Sequence, residues 1–251
     1  MQNALHPHKN QKITVAEHIM EFGNYNLETW ERARCPFCKC RMGNKAASAP
    51  NSHGHFFHMP NSGYCPSKEH SGTLYASKHP RAPDLIAARR MKLRFLQNWG
   101  KHFRKVNWIV KGLEVNEFKN LIKLADQERI WEYAALQEYQ LPYIFSTLKD
   151  FPVEESLKIK DEYIRKYYFR CWFDASVRQY DDLWIHRAEP PMFYRAWFIQ
   201  PKRAKPKVDD IAGFYSMEMS GEFLDDPKEP SPYVIANIQT WLDQRYANIR
   251  E

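Results

Sequence analysis

The chain has 251 residues, 43% of them apolar and 15% aromatic, with 37 Lys/Arg against 30 Asp/Glu for a net charge of +7. That length holds one or two domains with a real core, and nine glycines with sixteen prolines exclude a low-complexity or collagen-like chain. No apolar run reaches the ~18 residues of a membrane span, and Met1–His6 lacks the charged start and apolar stretch of a secretory signal, so a soluble, cytoplasmic protein without membrane contact is expected.

In chain order, residues 12–32 are patterned as a helix, with Ile13, Ala16, Ile19, Met20 and Trp30 inward. Between Cys35 and Cys65 the pattern gives way to Cys, His, Gly, Asn and Pro, and residues 66–83 read as a polar loop. A long helix is predicted over about 84–106, capped by Asp84, with Met91, Phe95, Trp99 and Phe103 four apart on one face. Trp108-Ile109-Val110 reads as a short strand. A second helical region spans about 114–139, with Phe118, Leu121, Ile122, Ala125, Ile130 and Ala134 as its apolar positions, interrupted at Pro142 and resuming near Ile144. Residues 166–174, 183–187 and 192–199 are aromatic and strand-like. Pro190-Pro191 and the stretch Pro201–Lys207 are connections. A final helix over 231–249 turns Val234, Ile235, Ile238, Trp241 and Leu242 inward.

Four of the five cysteines crowd between 35 and 65, which in a reducing compartment points to metal rather than disulfides. Cys35-Pro36-Phe37-Cys38 makes a tight turn whose two thiolates converge on one ion. Zinc takes four sulfur or nitrogen ligands in a tetrahedron, so a second pair must follow. His55 with His58, or His58 with Cys65, can supply it, and His70 and Cys40 lie within reach. The favoured set is Cys35, Cys38, His58 and Cys65, with His55 in place of Cys65 as the alternative. Ligation entirely by protein makes the Zn2+ structural, a source of folding energy for a segment with little core. The fold expected is therefore α+β: a zinc ribbon within 1–75, a basic and helical region over 76–150, and an aromatic-rich α+β region over 151–251.

Charge is unevenly spread. Residues 1–111 carry 18 Lys/Arg against 6 Asp/Glu, residues 112–251 carry 19 against 24, and nine of ten histidines lie in the first part. Such asymmetry points to a polyanionic partner for the basic half. Arg89, Arg90, Lys92, Arg94, Lys101, Arg104 and Lys105 are the candidate contacts to a nucleic-acid backbone, DNA or RNA. Trp99, Trp108, Tyr167, Tyr168, Trp172 and Tyr194 are candidates for base stacking or for core packing. Lys202–Lys207 is a basic loop that touches nucleic acid or only solubilises the chain. Cys171, alone in an aromatic strand, reads as a small core hydrophobe. With no glycine-rich phosphate loop and no Gly-x-Ser-x-Gly, nucleotide-cradling and hydrolase motifs are absent.

Cys35-Pro-Phe-Cys38, then His55-Phe56-Phe57-His58, then Cys65, ahead of the basic helix that contains Ala88-Arg89-Arg90-Met91-Lys92-Leu93, is similar to the N-terminal zinc ribbon of competence protein CoiA-like proteins. The likeness covers about residues 30–105. It implies work on DNA or RNA, in DNA processing or phage and mobile-element defence in a prokaryote. Nucleases of that family carry a PD-(D/E)xK-type site after the ribbon. The matching residues here are Pro83-Asp84 with Glu117-Phe118-Lys119, of which Asp84 reads as a helix cap and Glu117 falls in a predicted helix. Glu218 and Glu222, near Asp209 and Asp210, form another acidic cluster. No catalytic residue is assigned. The expected function is a zinc-ribbon nucleic-acid-binding accessory or adaptor protein whose C-terminal part meets a protein partner. The alternatives are a metal-dependent nuclease of the CoiA-like type and a protein-binding scaffold with structural zinc.

Overall fold

A computed structural model describes residues 1–23, 31–46, 54–69, 72–159, 162–199 and 210–250. The fold is α+β, and its described residues form two units, one over Met1–Glu69 and one from residue 72 onward. No helix among these residues is long and apolar enough to cross a membrane.

In the first unit β1 (Asn3–Leu5) pairs antiparallel with β2 (Lys12–Thr14). Thr14 then starts α1 (Val15–Phe22): its hydroxyl accepts the Glu17 N–H at 3.2 Å, and the Glu17 carboxylate accepts the Thr14 N–H at 2.7 Å. This reciprocal cap satisfies two of the orphan donors at a helix start. Gly23, at φ 81°, ends the helix after eight residues. The long helix expected over 12–32 is thus a strand followed by a short helix. Its phase turns Val15 and His18 inward and leaves Ala16 and Met20 exposed; Trp30 lies outside the described residues. β3 (Met42–Lys45) and β4 (His55–His58) form an antiparallel hairpin pairing Met42 with His58 and Lys45 with His55. A Cβ on Gly43 would sit 2.5 Å from the Phe57 ring, so only glycine allows that ring to lie across the strand. The core of this unit is small: Leu5, Ile13, Val15, Ala33, Phe37, Met42 and Phe56.

The second unit is built on α2 (Leu85–Val110). Asp84 caps it, its carboxylate accepting the N–H groups of Ile86 at 2.9 Å and Ala87 at 2.8 Å. Met91, Phe95, Trp99 and Phe103 share the buried face, and Ile109 and Val110 continue it, so the strand expected at 108–110 is the last turn of this helix. α3 (Val115–Gln127) buries Phe118, Leu121, Ile122 and Ala125. The chain then breaks into 3₁₀ turns at Ile130–Glu132 and Glu138–Gln140, and Pro142 opens α4 (Leu141–Thr147) rather than interrupting a helix. That follows from proline's place in a first turn, where its missing N–H costs nothing.

β5 (Glu154–Ile159) and β6 (Glu162–Arg165) make a hairpin. β7 (Tyr168–Phe173), β8 (Phe193–Phe198) and β9 (Ile211–Met217) form an antiparallel sheet in that order. Its register aligns Cys171, Arg195 and Tyr215, and next to them Phe173, Phe193 and Met217. The strand expected at 183–187 is instead a 3₁₀ turn over Tyr180–Trp184 and its exit, which buries Tyr180 and Leu183 three apart. α5 (Pro232–Arg245) and α6 (Ala247–Arg250) close the chain, with Ile238 and Leu242 fully buried. One apolar cluster runs from Tyr75 through α2, α3, α4 and the sheet to Tyr246. Phe151 belongs to this cluster and bridges to Phe169 of β7.

Candidate metal centre

Two tight turns and one hairpin bring four donors together. In the first turn the Lys39 N–H donates to the Cys35 carbonyl at 3.0 Å and the Cys35 N–H donates to that of Cys40 at 2.9 Å, with Lys39 in the left-handed region at φ 60°. The Phe37 N–H points at the Cys35 sulfur, 3.4 Å away. In the second turn the N–H groups of Lys68 and Glu69 both donate to the Cys65 carbonyl. The last residue of β4 delivers His58. Cys35 Sγ lies 3.8 Å from Cys65 Sγ, and Cys38 Sγ lies 3.4 Å from His58 Nε2. The four ligand atoms all lie within 4.8 Å of one another, so Cys35, Cys38, His58 and Cys65 could hold a metal ion. No other group of three or more His, Cys, Asp or Glu side chains converges this way among the described residues.

Burial and charge both call for a cation. Cys35 and Cys65 are inaccessible and Cys38 is buried. Hydrogen bonds from Cys35 and Cys38, supported by His58 and Ser67, push the Cys65 thiol far down. The Cys38 thiol is driven up by its contacts with Cys35 and Cys65 and by burial. Cys35 is pulled down by Cys38, but Cys65 and burial outweigh that and push it up to about 12. Thiolates this close repel one another, so a bound cation favours the ionised form of all three.

Strand geometry separates the two candidate histidines. His55 pairs with Lys45 at the far end of the hairpin and is exposed, whereas His58 pairs with Met42 beside the first turn. Cys40 stands apart too, its thiol donating to the Ser62 carbonyl at 3.2 Å. His53 and His70 lie outside the described residues. The remaining histidines of this unit have structural partners. His18 is buried between the Glu31 carbonyl and the Asn44 amide, both at 2.9 Å from its ring nitrogens, and burial lowers its pKa. His6 and His8 pair with Glu21 and Glu31. Sequence reasoning missed His18; a histidine three residues beyond a capped Val15 was the available signal.

The seven basic residues proposed for phosphate contact divide. Arg89, Arg90 and Arg94 are exposed on α2. Lys92 pairs with Asp126 at 3.0 Å and lies over the rings of Trp131 and Tyr246. Lys101 donates to the Leu224 carbonyl, and Arg104 pairs with Asp226 at 2.6 Å and donates to the Lys228 carbonyl. Lys105 lies over Trp108, Tyr143 and Phe223. Part of the sequence's charge asymmetry is thus neutralised inside the molecule. These pairs do not hold α2 in place: a partly exposed one contributes about 0–1 kcal/mol, while each large apolar side chain the helix buries contributes about 1.5–3 kcal/mol.

Asp84 and Glu117, weighed for nuclease chemistry, are otherwise engaged. Asp84 is the cap of α2. Glu117 answers Glu114 in the first turn of α3 and pairs with the inaccessible Arg165 and with Lys149. Lys119 lies over the Trp241 ring. Glu218 and Glu222 are exposed; Asp209 and the run Lys202–Lys207 lie outside the described residues. Cys171 is inaccessible, and burial raises its pKa. Trp99, Tyr168 and Trp172 are buried, Tyr194 is half-buried against Trp172, and Trp108 and Tyr167 are exposed.

No protein-family model, no curated protein and no solved structure matches the chain. The likeness to CoiA-like ribbons therefore rests on the residues that carry it.

Proposed function

We propose that the Cys35-Cys38-His58-Cys65 cluster binds one structural Zn2+ and that the protein is a zinc-ribbon nucleic-acid-binding accessory or adaptor factor. The observation that carries the reading is a convergent set of three buried cysteines and the half-buried His58, on turns that present the exposed cations Lys39 and Lys68. Zn–S bonds of ~2.3 Å and Zn–N bonds of ~2.0–2.1 Å in a tetrahedron imply sulfur–sulfur spacings of ~3.8 Å and sulfur–nitrogen spacings of ~3.5 Å. The separations of 3.8 Å and 3.4 Å fit that ion. Four protein ligands leave no position for substrate, so the ion shapes the ribbon rather than performing chemistry.

Two separate sets of exposed cations support phosphate contact, each within its own unit: Lys39, Lys45 and Lys68 on the ribbon, and Arg89, Arg90 and Arg94 on α2. They position a backbone and do not read bases. The test is fluorescence anisotropy of zinc-loaded protein with labelled duplex and single-stranded probes across a salt series. Joint charge reversal at Arg89, Arg90 and Arg94 removes up to three phosphate contacts. It should flatten the slope of log K against log salt on duplex DNA by roughly 2–3. An unchanged slope and affinity would remove the α2 arginines from the account; no binding by the wild-type protein at about 0.1 M salt, where steering by a basic surface still operates, would favour the scaffold reading instead.

A further inference from the structure

Among the buried arginines of the second unit, one lacks a carboxylate. Arg165 pairs with Glu117 and Arg170 with Asp150. Arg195, 8% exposed, has no acidic partner among the described residues. It donates to the Trp108 and Ile109 carbonyls at 3.2 and 2.7 Å, at the negative end of α2, and lies 4.4 Å from the Tyr215 ring. Its Nε has no partner among the described residues. Beside it Trp108 is 51% exposed. The Arg195 guanidinium is 5.8 Å from the Trp108 ring and the Lys105 ammonium 4.6 Å from it. Lys105 likewise has no carboxylate partner among the described residues. An exposed indole is thus flanked by two cations whose charge no acid cancels. Trp197 and Tyr215, half-buried with ring centroids 6.2 Å apart, continue the aromatic surface on the sheet.

We infer that Trp108, with Lys105 and Arg195, is a stacking site for an unpaired base of a single-stranded nucleic acid. The inference rests on the nucleic-acid reading above and names the strand it prefers. A flat π-face matches the indole, and the adjoining phosphate matches the Lys105 ammonium, while the buried Arg195 holds the Trp108 and Ile109 carbonyls and so fixes the helix end that carries the indole; a duplex, whose bases are already stacked, offers only the phosphate. The site is separate from the exposed arginines of α2. Arg90 lies eighteen residues before Trp108, about five turns and ~27 Å along the helix. Between them Lys101 and Arg104 are held by residues 224–228.

The test uses the full zinc-loaded chain and two fluorescein-labelled probes, an oligothymidylate and a duplex of equal length, with thermal melting to verify folding. Trp108→Ala should weaken the oligothymidylate about tenfold or more, since base–aromatic stacking contributes ~1–3 kcal/mol per base. Duplex affinity should stay within about twofold, and Trp108→Phe should recover most of the single-strand affinity. Lys105→Gln should weaken both probes and reduce the salt dependence. Single-strand binding by Trp108→Ala equal to wild type, or equal losses on both probes, overturns the stacking site while leaving duplex binding standing. Failure of the wild-type protein to bind either probe overturns this inference and the broader reading together.

Discussion

The sulfur atoms of Cys35 and Cys65 lie 3.8 Å apart although thirty residues separate them in the chain. Neither sulfur is reached by solvent. Thiolates at that distance repel unless a cation lies between them, and the Cys38–His58 contact at 3.4 Å closes the same space from the other side. The turns and the β3–β4 hairpin bring together four donors that could hold one metal ion.

Chelation should unfold the first unit and spare the second. Structural zinc contributes an apparent ~10–16 kcal/mol in small modules, more than the ~3–5 kcal/mol that a core of this size supplies. Circular dichroism during heating should show two transitions with metal and only that of the second unit after a strong chelator. A melting curve indifferent to chelator would remove the metal's structural role.

His58→Ala should abolish stoichiometric zinc, while His55→Ala and Cys40→Ser should retain it. His55 is exposed at the far end of the hairpin, and Cys40 is hydrogen-bonded to Ser62. Metal content of the three purified variants, measured by atomic emission, decides this. Zinc lost from His55→Ala and kept by His58→Ala would reverse the assignment.

Glu117→Ala should destabilise the second unit by about 3–5 kcal/mol, because it strands the inaccessible Arg165 without its carboxylate. At about 2–4 °C per kcal/mol for a unit of this size, the melting temperature should fall by roughly 6–20 °C. Replacing both partners, Glu117→Met with Arg165→Leu, should recover much of the loss. A Glu117→Ala protein that melts like wild type would show the pair to be dispensable.

The second unit should lose stability as the solution is acidified below neutrality. Burial holds the His102 imidazole below its ordinary pKa, with Glu138 opposing. The unfolded chain takes up that proton near pH ~6.5, before the folded one does. The stabilisation is therefore complete above that value and is lost as pH falls through it toward the lower folded pKa. Urea unfolding of this unit's transition between pH 5 and 8 should show the slope, and His102→Gln should flatten it. An unaltered slope in the variant would assign the effect to other groups.

The four donors of the candidate centre are legible in the sequence because cysteine and histidine stand in a stretch rich in Pro, Gly, Asn and Lys. Asp84 as a cap, and Met91, Phe95, Trp99 and Phe103 as one face, are legible because both are local patterns of a helix. The destinations of the α2 cations are not, since Asp126 and Asp226 lie 34 and 122 residues beyond Lys92 and Arg104 and only the fold brings them near. Helix against strand at Trp108-Ile109-Val110 turns on three apolar residues, a pattern either structure accepts. β9 is hidden for a related reason: Ile211–Met217 is largely half-buried, so its alternation is weak. Arg195 could not be picked out at all, because its distinction is the missing carboxylate, a property of its neighbours in space.

The most direct measurement of the central claim is zinc-edge X-ray absorption on protein purified without added chelator. The account predicts one zinc per chain, with three sulfurs at ~2.3 Å and one nitrogen at ~2.0–2.1 Å, and loss of the sulfur shell with the metal in Cys65→Ser. A shell of oxygen and nitrogen alone, or stoichiometric zinc that survives Cys65→Ser with its sulfur count unchanged, would contradict it.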